Sequence, residues 1–266
     1  AEGTQQQLIK FGLKASKIDY IFISHLHGDH YFGLIGLLSS MHLNGRIKPL
    51  RIYGPKAIKE ILELQFKHSD THLKYELVYF EVNATQSEVI FENNDVSVET
   101  IILNHRIPCT GFKFTEKKRL RKLLVEKLEK DNIALDLYPL LKRGVDLTLP
   151  NGQVLKNIDY TIDSATPKSY AYCSDTLYDD SYFPSIKNCD TLYHEATFLQ
   201  EMIERAKETH HTTALQAAEV AKIVGAKKLL IGHFSSRYKT LGPLLEEAKS
   251  VFDKTELALE GITYQI

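Results

Sequence analysis

Four side chains that can bind metal ions lie within one short segment, residues 25–30. The segment reads His-Leu-His-Gly-Asp-His, and its metal-binding side chains are those of His25, His27, Asp29 and His30. Imidazoles and a carboxylate suit Zn²⁺ or a similar borderline ion, and such a segment can supply two ligands to each of two adjacent ions. We expect Gly28 to permit the tight turn that makes these side chains converge. A polar surface loop is the alternative, but the position directly after an apolar run argues against it.

Three further candidate ligands, His105, Asp175 and His233, each follow an apolar, β-type run. Ligands delivered from one edge of a sheet can meet, so we expect these three to complete a metal site with residues 25–30. Taken singly, His105 could cap an element, Asp175 could belong to an ordinary turn, and His233 could be a buried core histidine. Their joint placement favours the metal site.

The elements that must position these residues are predicted from the spacing of apolar side chains. Residues 18–24 are mostly β-branched and aromatic, which predicts a buried strand ending at His25. Residues 30–43 predict a helix, residues 49–53 a second strand and residues 58–66 a second helix. The first part of the chain therefore alternates strand and helix.

After residue 73 the pattern changes, and strand-like runs separated by Asn-rich turns predict an antiparallel meander at 77–80, 89–91 and 96–103. Residues 113–131 carry 8 basic and 4 acidic side chains, with leucines at helical spacing. Later strands are predicted at 169–174, 190–193, 228–231 and 257–265, and later helices at 212–224 and 242–252. Mixed strands and helices without a linker are typical of a layered α/β (α+β) fold. We predict one domain over residues 1–266, with residues 113–160 as a protruding insertion.

Composition limits the classes to which the chain can belong. Its 266 residues are 43% hydrophobic, which is enough for a globular core, and no apolar stretch approaches the roughly 20 residues of a membrane span. We therefore expect a soluble protein with no membrane partner. A formal charge of −1 means that any nucleic acid must be held by local patches. Three cysteines without a CxxC pair, and no visible secretory signal, predict a cytoplasmic protein.

Several short motifs resemble those of the metallo-β-lactamase superfamily and, within it, the ribonuclease Z family. Besides residues 25–30, they are Glu2-Gly3-Thr4-Gln5, Asn104-His105 followed by Gly111-Phe112, Ser174-Asp175-Thr176, His194-Glu195-Ala196-Thr197, His211-Thr212-Thr213-Ala214 and Gly232-His233-Phe234-Ser235-Ser236-Arg237-Tyr238. The His-Glu-Ala-Thr and Ser-Ser-Arg-Tyr elements separate this family from its hydrolase relatives. The match runs along most of the chain.

The resemblance implies a metallo-β-lactamase fold, which is a four-layer αββα sandwich, with a protruding arm. It also implies a zinc-dependent endoribonuclease that cleaves precursor tRNA after the discriminator base and leaves a 3′-hydroxyl on the tRNA. Two Zn²⁺ per chain are implied, with Mn²⁺ as the other candidate. The implied ligands are His25, His27 and His105 for one ion, Asp29, His30 and His233 for the other, and Asp175 as a bridge.

The resemblance also implies groups that move protons. Asp29 would orient the attacking hydroxide or accept its proton, while His211 would act as general acid with its pKa raised by Glu195. The adjacent His210 competes for the acid role, and the pattern His-Thr-Thr-Ala favours His211. A helix-start carboxylate and a helix N-terminal histidine are the ordinary explanations of Glu195 and His211.

Substrate contacts complete the set that the resemblance implies. Ser235, Ser236 and Arg237 would bind a phosphate, since a guanidinium contacts it bidentately. In the family an arm clamps the tRNA, usually on the active site of the other subunit of a homodimer. Here its basic side chains would be Lys117, Lys118, Arg119, Arg121 and Lys122. A solvated helix face is the alternative explanation of this charge.

The chain departs from the family pattern in two places. The Gly-Pro signature of the arm is absent, because residues 133–144 read Ile-Ala-Leu-Asp-Leu-Tyr-Pro-Leu-Leu-Lys-Arg-Gly. The first β-hairpin of the family, which precedes Glu2-Gly3-Thr4-Gln5, is missing from this sequence, so we expect the N-terminal strands to lie ahead of it.

Two other functions are alternatives to this interpretation. A small-molecule phosphodiesterase or esterase of the same superfamily would use an identical dinuclear centre and would prefer a small ester to precursor tRNA. A non-catalytic RNA-binding or assembly protein would have an idle metal site, and it would purify without zinc or manganese and gain no activity when either is added. The presence of every expected ligand and of both acid-relay residues argues against this last class.

Overall fold

The structure is a computed structural model, and it describes residues 2–149 and 152–266. In these residues the helices are α1 (Thr4–Lys10), α2 (Gly28–Leu43), α3 (Ala57–His68), α4 (Val125–Lys130), α5 (Tyr138–Lys142), α6 (Asn157–Tyr160), α7 (Phe183–Ile186), α8 (Ile203–Thr209), α9 (Ala214–Val224) and α10 (Gly242–Lys249). The strands are β1 (Tyr20–Phe22), β2 (Leu50–Gly54), β3 (Leu77–Glu81), β4 (Val89–Glu92), β5 (Val96–Leu103), β6 (Cys109–Glu116), β7 (Lys122–Leu123), β8 (Leu147–Thr148), β9 (Val154–Leu155), β10 (Thr161–Ile162), β11 (Ser169–Cys173), β12 (Thr191–Glu195), β13 (Lys228–Gly232) and β14 (Thr255–Leu257).

The described residues form two compact units. Unit 1 contains the residues up to Phe91, Val98–Phe114 and Ser169–Ile266, and unit 2 contains Glu92–Ser97 and Thr115–Lys168. None of the described helices combines the length and the apolar character that a bilayer crossing requires.

The smaller sheet of unit 1 is parallel throughout. Its strand order is β1-β2-β3, with Ile21 opposite Ile52 and Leu50 opposite Leu77. Parallel neighbours need a long crossover connection, which α2 supplies between β1 and β2 and α3 supplies between β2 and β3. The predicted antiparallel meander is therefore wrong at its first strand, because 77–81 belongs to this parallel sheet.

The larger sheet of unit 1 brings several strand ends to one edge. Its order is β14-β13-β12-β11-β6-β5-β4, and the pairs from β11 to β14 are parallel. Cys173 lies opposite His194, and Glu195 lies opposite Gly232. Since parallel strands end at the same edge, the residues that directly follow β11, β12 and β13 are neighbours in space.

Helices cover the outer faces of both sheets, and the inner faces meet. One buried apolar cluster joins α2 and α3 to β2, and another joins α9 and α10 to the strands β5, β6, β11, β12 and β13. Between the sheets, the ring of Phe22 lies 5.4 Å from that of Phe112 and 5.5 Å from that of Phe114. The order helix, sheet, sheet, helix confirms the predicted four-layer αββα sandwich.

Unit 2 has a small apolar core of its own. The strands β7 and β10 pair antiparallel, as do β8 and β9, and the buried core residues are Leu128, Ile133, Leu141, Leu147, Leu155 and Tyr160. The helical spacing of the leucines in 113–131 does not produce one continuous helix. Strand β6 extends to Glu116, β7 is Lys122–Leu123, and the helix is limited to Val125–Lys130. Pairing of Leu123 with Thr161 across β7 and β10 overrides the helical spacing of the leucines.

The C-terminal elements follow the predictions up to residue 257. Helix α9 begins one residue after Thr213, whose side chain forms a capping box with Gln216, and ends before Gly225 in the left-handed conformation. The predicted strand at 257–265 is wrong beyond Leu257. There the Tyr264 hydroxyl donates to the Leu257 carbonyl at 2.6 Å, which folds the chain into a loop.

Candidate metal centre

The segment 25–30 changes from extended chain to helix in the middle of the motif. His27 has extended dihedral angles (φ −70°, ψ 142°) and directly precedes α2, which begins at Gly28. Gly28 is helical, so the expected glycine turn is wrong. A Cβ atom at this position would meet only the ring of Phe32 one turn later, and that exposed side chain can move aside. The start of the helix therefore makes the side chains converge.

The first group of side chains consists of three histidines. The distance from His27 Nδ1 is 3.1 Å both to His25 Nε2 and to His105 Nε2. Oδ2 of Asp175 lies 3.7 Å from His25 Nε2 and 3.8 Å from His105 Nε2. Three imidazoles, two from the segment 25–30 and one from His105, thus surround one point beside a carboxylate oxygen.

The second group lies on the other side of Asp175. Its Oδ1 atom lies 3.3 Å from Nε2 of both His30 and His233. Oδ2 of Asp29 lies 3.3 Å from His30 Nε2 and 3.5 Å from His233 Nε2. Asp175 is buried, and its two oxygens face different histidine groups.

These residues fit a pair of divalent metal ions. His30 Nε2 is buried, yet it has no hydrogen-bond partner among the described residues, although carboxylate oxygens lie nearby. A buried polar atom without a hydrogen bond is costly, and a cation at that position would give it a partner. Imidazole nitrogens with carboxylate oxygens are the donor set that zinc and similar ions prefer. Each group offers ligand atoms that lie within 4.8 Å of one another.

The electrostatics of the two groups differ. Burial, assisted by the neighbouring His30, lowers the pKa of His25 to about 3, and burial lowers that of His105 to about 4. Both rings are therefore neutral and have a lone pair for a metal. Burial also acts to lower the pKa of His233, but the carboxylates of Asp29, Asp175 and Glu195 outweigh it and raise that pKa to about 9. The second group thus attracts positive charge.

Contacts behind the first group determine which ring nitrogen faces inward. The carbonyl of His210 can only accept, so His105 Nδ1 donates to it at 2.9 Å and leaves the Nε2 lone pair free. His25 Nδ1 lies 3.0 Å from the Ser24 hydroxyl. His210 is held in the left-handed conformation (φ 55°), which non-glycine residues rarely adopt.

Glu195 and His211 form a buried pair beside the histidine groups. Glu195 is 0% exposed, and its Oε1 atom accepts from His211 Nδ1 at 2.8 Å and from the Thr176 amide at 3.0 Å. The structure therefore brings His211, not His210, to Glu195. With Nδ1 bound to the carboxylate, Nε2 of His211 is free to act on a substrate.

Thr197, for which the sequence predicts no role, contacts this pair. Its hydroxyl lies 2.6 Å from Glu195 Oε2 and 2.9 Å from His233 Nδ1. The signal was present in the His-Glu-Ala-Thr motif, but only the glutamate was singled out there. Ser24 and the carbonyl of His210 were missed because no spacing rule marks them.

The predicted phosphate-binding residues follow His233. The Arg237 Nε atom donates to the Ser235 hydroxyl at 3.1 Å, and its guanidinium lies 4.9 Å from the centre of the Phe198 ring. Ser236 is exposed. His233 has a left-handed backbone (φ 59°) at this bend.

The predicted basic arm residues belong to unit 2. Lys118, Arg119 and Lys122 are exposed. Lys117 forms an ion pair with Glu92, and Arg121 forms one with Asp163. Lys118, Arg119 and Lys122 therefore extend into solvent, whereas Lys117 and Arg121 are paired with carboxylates.

Comparisons with known proteins place the chain in a family. A family model described as "Anti-Pycsar protein Apyc1" matches residues 2–121. The ribonuclease Z of Cytophaga hutchinsonii is 47% identical over 266 residues, which covers 100% of this chain and 85% of that protein. The ribonuclease Z of Bacteroides fragilis is 42% identical over 261 residues, which covers 98% of this chain and 86% of that protein.

Solved structures agree with these sequence relatives. The short form of human tRNase Z superposes with a TM-score of 0.68 at 27% identity, covering 98% of this chain and 84% of that one. A metallo-β-lactamase fold protein from Bacillus subtilis gives a TM-score of 0.65 at 20% identity, covering 98% and 83%, which supports the fold. The resemblance found in the sequence is confirmed, and the chain belongs to the ribonuclease Z family of endoribonucleases, with the metallo-β-lactamase fold.

Proposed function

We propose that this chain removes 3′ trailers from precursor tRNA through a dinuclear zinc centre. The observation that carries this proposal is the position of Asp175 between two histidine groups, with the Glu195–His211 pair beside them. A two-ion centre suits the hydrolysis of a phosphodiester. The cut falls after the discriminator base and leaves a 3′-hydroxyl on the tRNA.

The ligand sets follow the two groups of side chains. The proposed ligands are His25, His27 and His105 for the first ion, Asp29, His30 and His233 for the second, and Asp175 for both. Zinc suits this nitrogen-rich set best, and manganese is the other candidate. When bound, the two ions supply Lewis acidity that activates water at neutral pH and polarises the phosphodiester.

Protein side chains handle the protons. Asp29, whose pKa is held well below its usual range by its hydrogen bond to His233, is ionised, which suits a group that orients the attacking water. Acceptance of the proton of that water is the alternative role. His211 protonates the leaving 3′ oxygen through Nε2, while the Glu195 carboxylate holds the opposite ring nitrogen. Ser235, Ser236 and Arg237 bind a substrate phosphate.

Unit 2 is the proposed tRNA-binding arm, inserted into a single domain that spans the chain. Its exposed cations Lys118, Arg119 and Lys122, with Lys117 and Arg121, provide the local positive charge that an almost neutral protein needs for RNA. RNA is recognised by the shape of the acceptor stem, with the single-stranded 3′ end at the metal ions.

A homodimer in the cytoplasm is the proposed assembly and location. The exposed apolar side chains of Ile9, Leu13 and Ile47 line a groove of about 510 Å³ in unit 1, and such patches favour protein contacts. The cysteines Cys109, Cys173 and Cys189 are buried and free, which suits a reducing compartment.

End-mapping of one labelled precursor tRNA tests the substrate, the reaction and the cut position together. The zinc-loaded protein should produce a single cut after the discriminator base, with a 3′-hydroxyl on the tRNA. A model phosphodiester is assayed in parallel. A higher kcat/KM for the small ester than for the tRNA would contradict the proposal.

A further inference from the structure

The hydroxyl of Thr197 lies at the centre of a small buried network. Thr197 is buried, and its Oγ1 atom lies 2.6 Å from Glu195 Oε2, 2.9 Å from His233 Nδ1 and 3.0 Å from the His233 carbonyl oxygen. This one atom therefore links the carboxylate that contacts His211 to a histidine of the second group.

The donors in this network follow from the chemistry of the neighbours. A carboxylate and a carbonyl oxygen can only accept, and the threonine hydroxyl has one proton. The distance of 2.6 Å between Thr197 Oγ1 and Glu195 Oε2 requires a proton between these two oxygens, so the hydroxyl donates to Glu195 and has no proton left for the ring nitrogen of His233. His233 Nδ1 must therefore donate its own N–H to Thr197 Oγ1.

This assignment fixes the tautomer of His233. With the proton on Nδ1, the lone pair of the neutral ring is on Nε2, which is the atom that faces Asp175 and Asp29. Contacts of this kind behind a ligating histidine set its ring orientation and its basicity. Here the Thr197 hydroxyl lies between Glu195 and the His233 ring, so the carboxylate affects that ring through the hydroxyl.

We infer that Thr197 is a positioning residue that holds His233 ready for a divalent cation in the second group. The inference rests on the proposed dinuclear centre. Thr197 affects only the second group. In the first group, the Ser24 hydroxyl contacts His25 and the His210 carbonyl contacts His105, and these contacts orient the two rings.

Removal of the hydroxyl leaves the His211 contact in place. Glu195 Oε2 also accepts from the backbone amide of Thr197 at 3.1 Å, and Oε1 keeps His211 and Thr176. The variant Thr197→Val, which has nearly the same shape, also loses the longer contact of 3.4 Å between the hydroxyl and His211 Nδ1, but His211 keeps its bond of 2.8 Å to Glu195. The main loss therefore falls on His233.

Zinc titration of the full chain, with a competing chelator and metal analysis, tests the inference. We expect two ions in the wild type, whereas Thr197→Val should keep one at wild-type affinity and bind the other about 10–100-fold more weakly. Thr197→Ser, which retains the hydroxyl, should bind both ions within a few-fold of the wild type. Thr255→Val is the matched control, because the buried hydroxyl of Thr255 in β14 donates to the nearby Phe252 carbonyl and contacts none of the proposed ligands. This variant should bind both ions as the wild type does.

Each outcome distinguishes the two levels of the proposal. Wild-type protein that binds fewer than two ions contradicts the dinuclear centre. If the wild type binds two ions and Thr197→Val binds both with unchanged affinity, the role of Thr197 is wrong while the dinuclear centre stands. The role of Thr197 is also wrong if Thr197→Ser binds zinc as weakly as Thr197→Val does. Thermal unfolding of the metal-free variants checks that they fold, and Thr197→Ala replaces Val if that variant does not.

Discussion

The carboxylate of Glu195 is fully buried and accepts a hydrogen bond from Nδ1 of His211 at 2.8 Å. The two residues are separated by 16 positions and lie on different elements, Glu195 at the end of β12 and His211 between α8 and α9. Neither belongs to the two histidine groups on Asp175 that form the proposed ligand sets. We therefore expect the pair to transfer a proton beside the two proposed ions.

The His211→Ala variant should lose about 10²–10⁴-fold in cleavage rate while its metal content stays unchanged. The reason is that the proposed role of His211 is to supply a proton and not to bind an ion. Single-turnover cleavage and metal analysis of the same sample check this. His210→Asn is the control, since Asn tolerates the left-handed backbone and keeps the carbonyl that His105 needs. A His211 variant that loses metal would refute the acid role.

The Asp175→Ala variant should lose cleavage to below detection and bind fewer than two metal ions. Its two oxygens face both histidine groups, so the change removes a ligand from each proposed ion. Metal stoichiometry and tRNA cleavage are the measurements. Asp180→Ala, an exposed carboxylate five positions away, should behave as the wild type. Turnover retained by the Asp175 variant would count against the two-ion mechanism.

Charge reversal at Lys118 and Arg119 should weaken binding of precursor tRNA and reduce its salt dependence by about one unit of log–log slope per lost phosphate contact. Hydrolysis of a small phosphodiester should be unaffected, because it makes no contact with the arm. The tRNA affinity is measured at several salt concentrations, and the rate of small-ester hydrolysis is measured in a parallel assay.

The control for the arm variant is a charge reversal of the same size at two lysines outside unit 2. Lys249→Glu combined with Lys254→Glu alters two exposed lysines of unit 1. This double variant should bind tRNA almost as the wild type does. Equal losses on tRNA and on the small ester in the arm variant would show that the arm assignment is mistaken.

Acid should destabilise the metal-free protein through His194. Burial lowers the pKa of His194, which is fully buried, donates through Nδ1 to the Glu195 carbonyl and accepts the Tyr182 hydroxyl at 2.9 Å. Below pH 6.5, which is about the pKa of a free histidine side chain, His194 is protonated in the unfolded chain but stays neutral in the folded chain. The free energy of unfolding should therefore fall as pH drops through 6.5, by up to about 1.4 kcal/mol per pH unit for this group.

Urea unfolding at pH 7.5 and pH 5.5, with chelator present, measures this effect. His194→Gln cannot take up the proton, so its stability should depend less on pH than that of the wild type, although it is less stable at pH 7.5. Parallel pH dependences of the two proteins would exclude His194 as a source. His25 and His105, whose pKa values are also lowered, contribute slopes of the same sign in both proteins.

Much of the metal centre could be predicted because its residues are local to strand ends. The segment 25–30 carries its ligand types within one short stretch, and Asp175 and His233 directly follow apolar runs that the structure forms as β11 and β13. Parallel pairing then brings those ends together. His105 fits the same rule at the end of β5.

The missed features depend on contacts between distant residues. The parallel placement of β3 depends on the crossover through α3, and the short β7 depends on a partner 38 positions away at Thr161. Leucine spacing at 120–128 cannot distinguish such a pairing from a helix. The role of Thr197 depends on three acceptors or donors around one oxygen, which no local pattern contains.

The register between β11, β12 and β13 has a consequence for partly folded chains. A slip of β12 by one residue would turn Glu195 to the opposite side of the sheet and leave His211 without its carboxylate. A nascent or heat-damaged molecule with an unsettled sheet would then be inert toward RNA. We therefore expect the ability to cleave RNA to appear only when the register of these strands is complete.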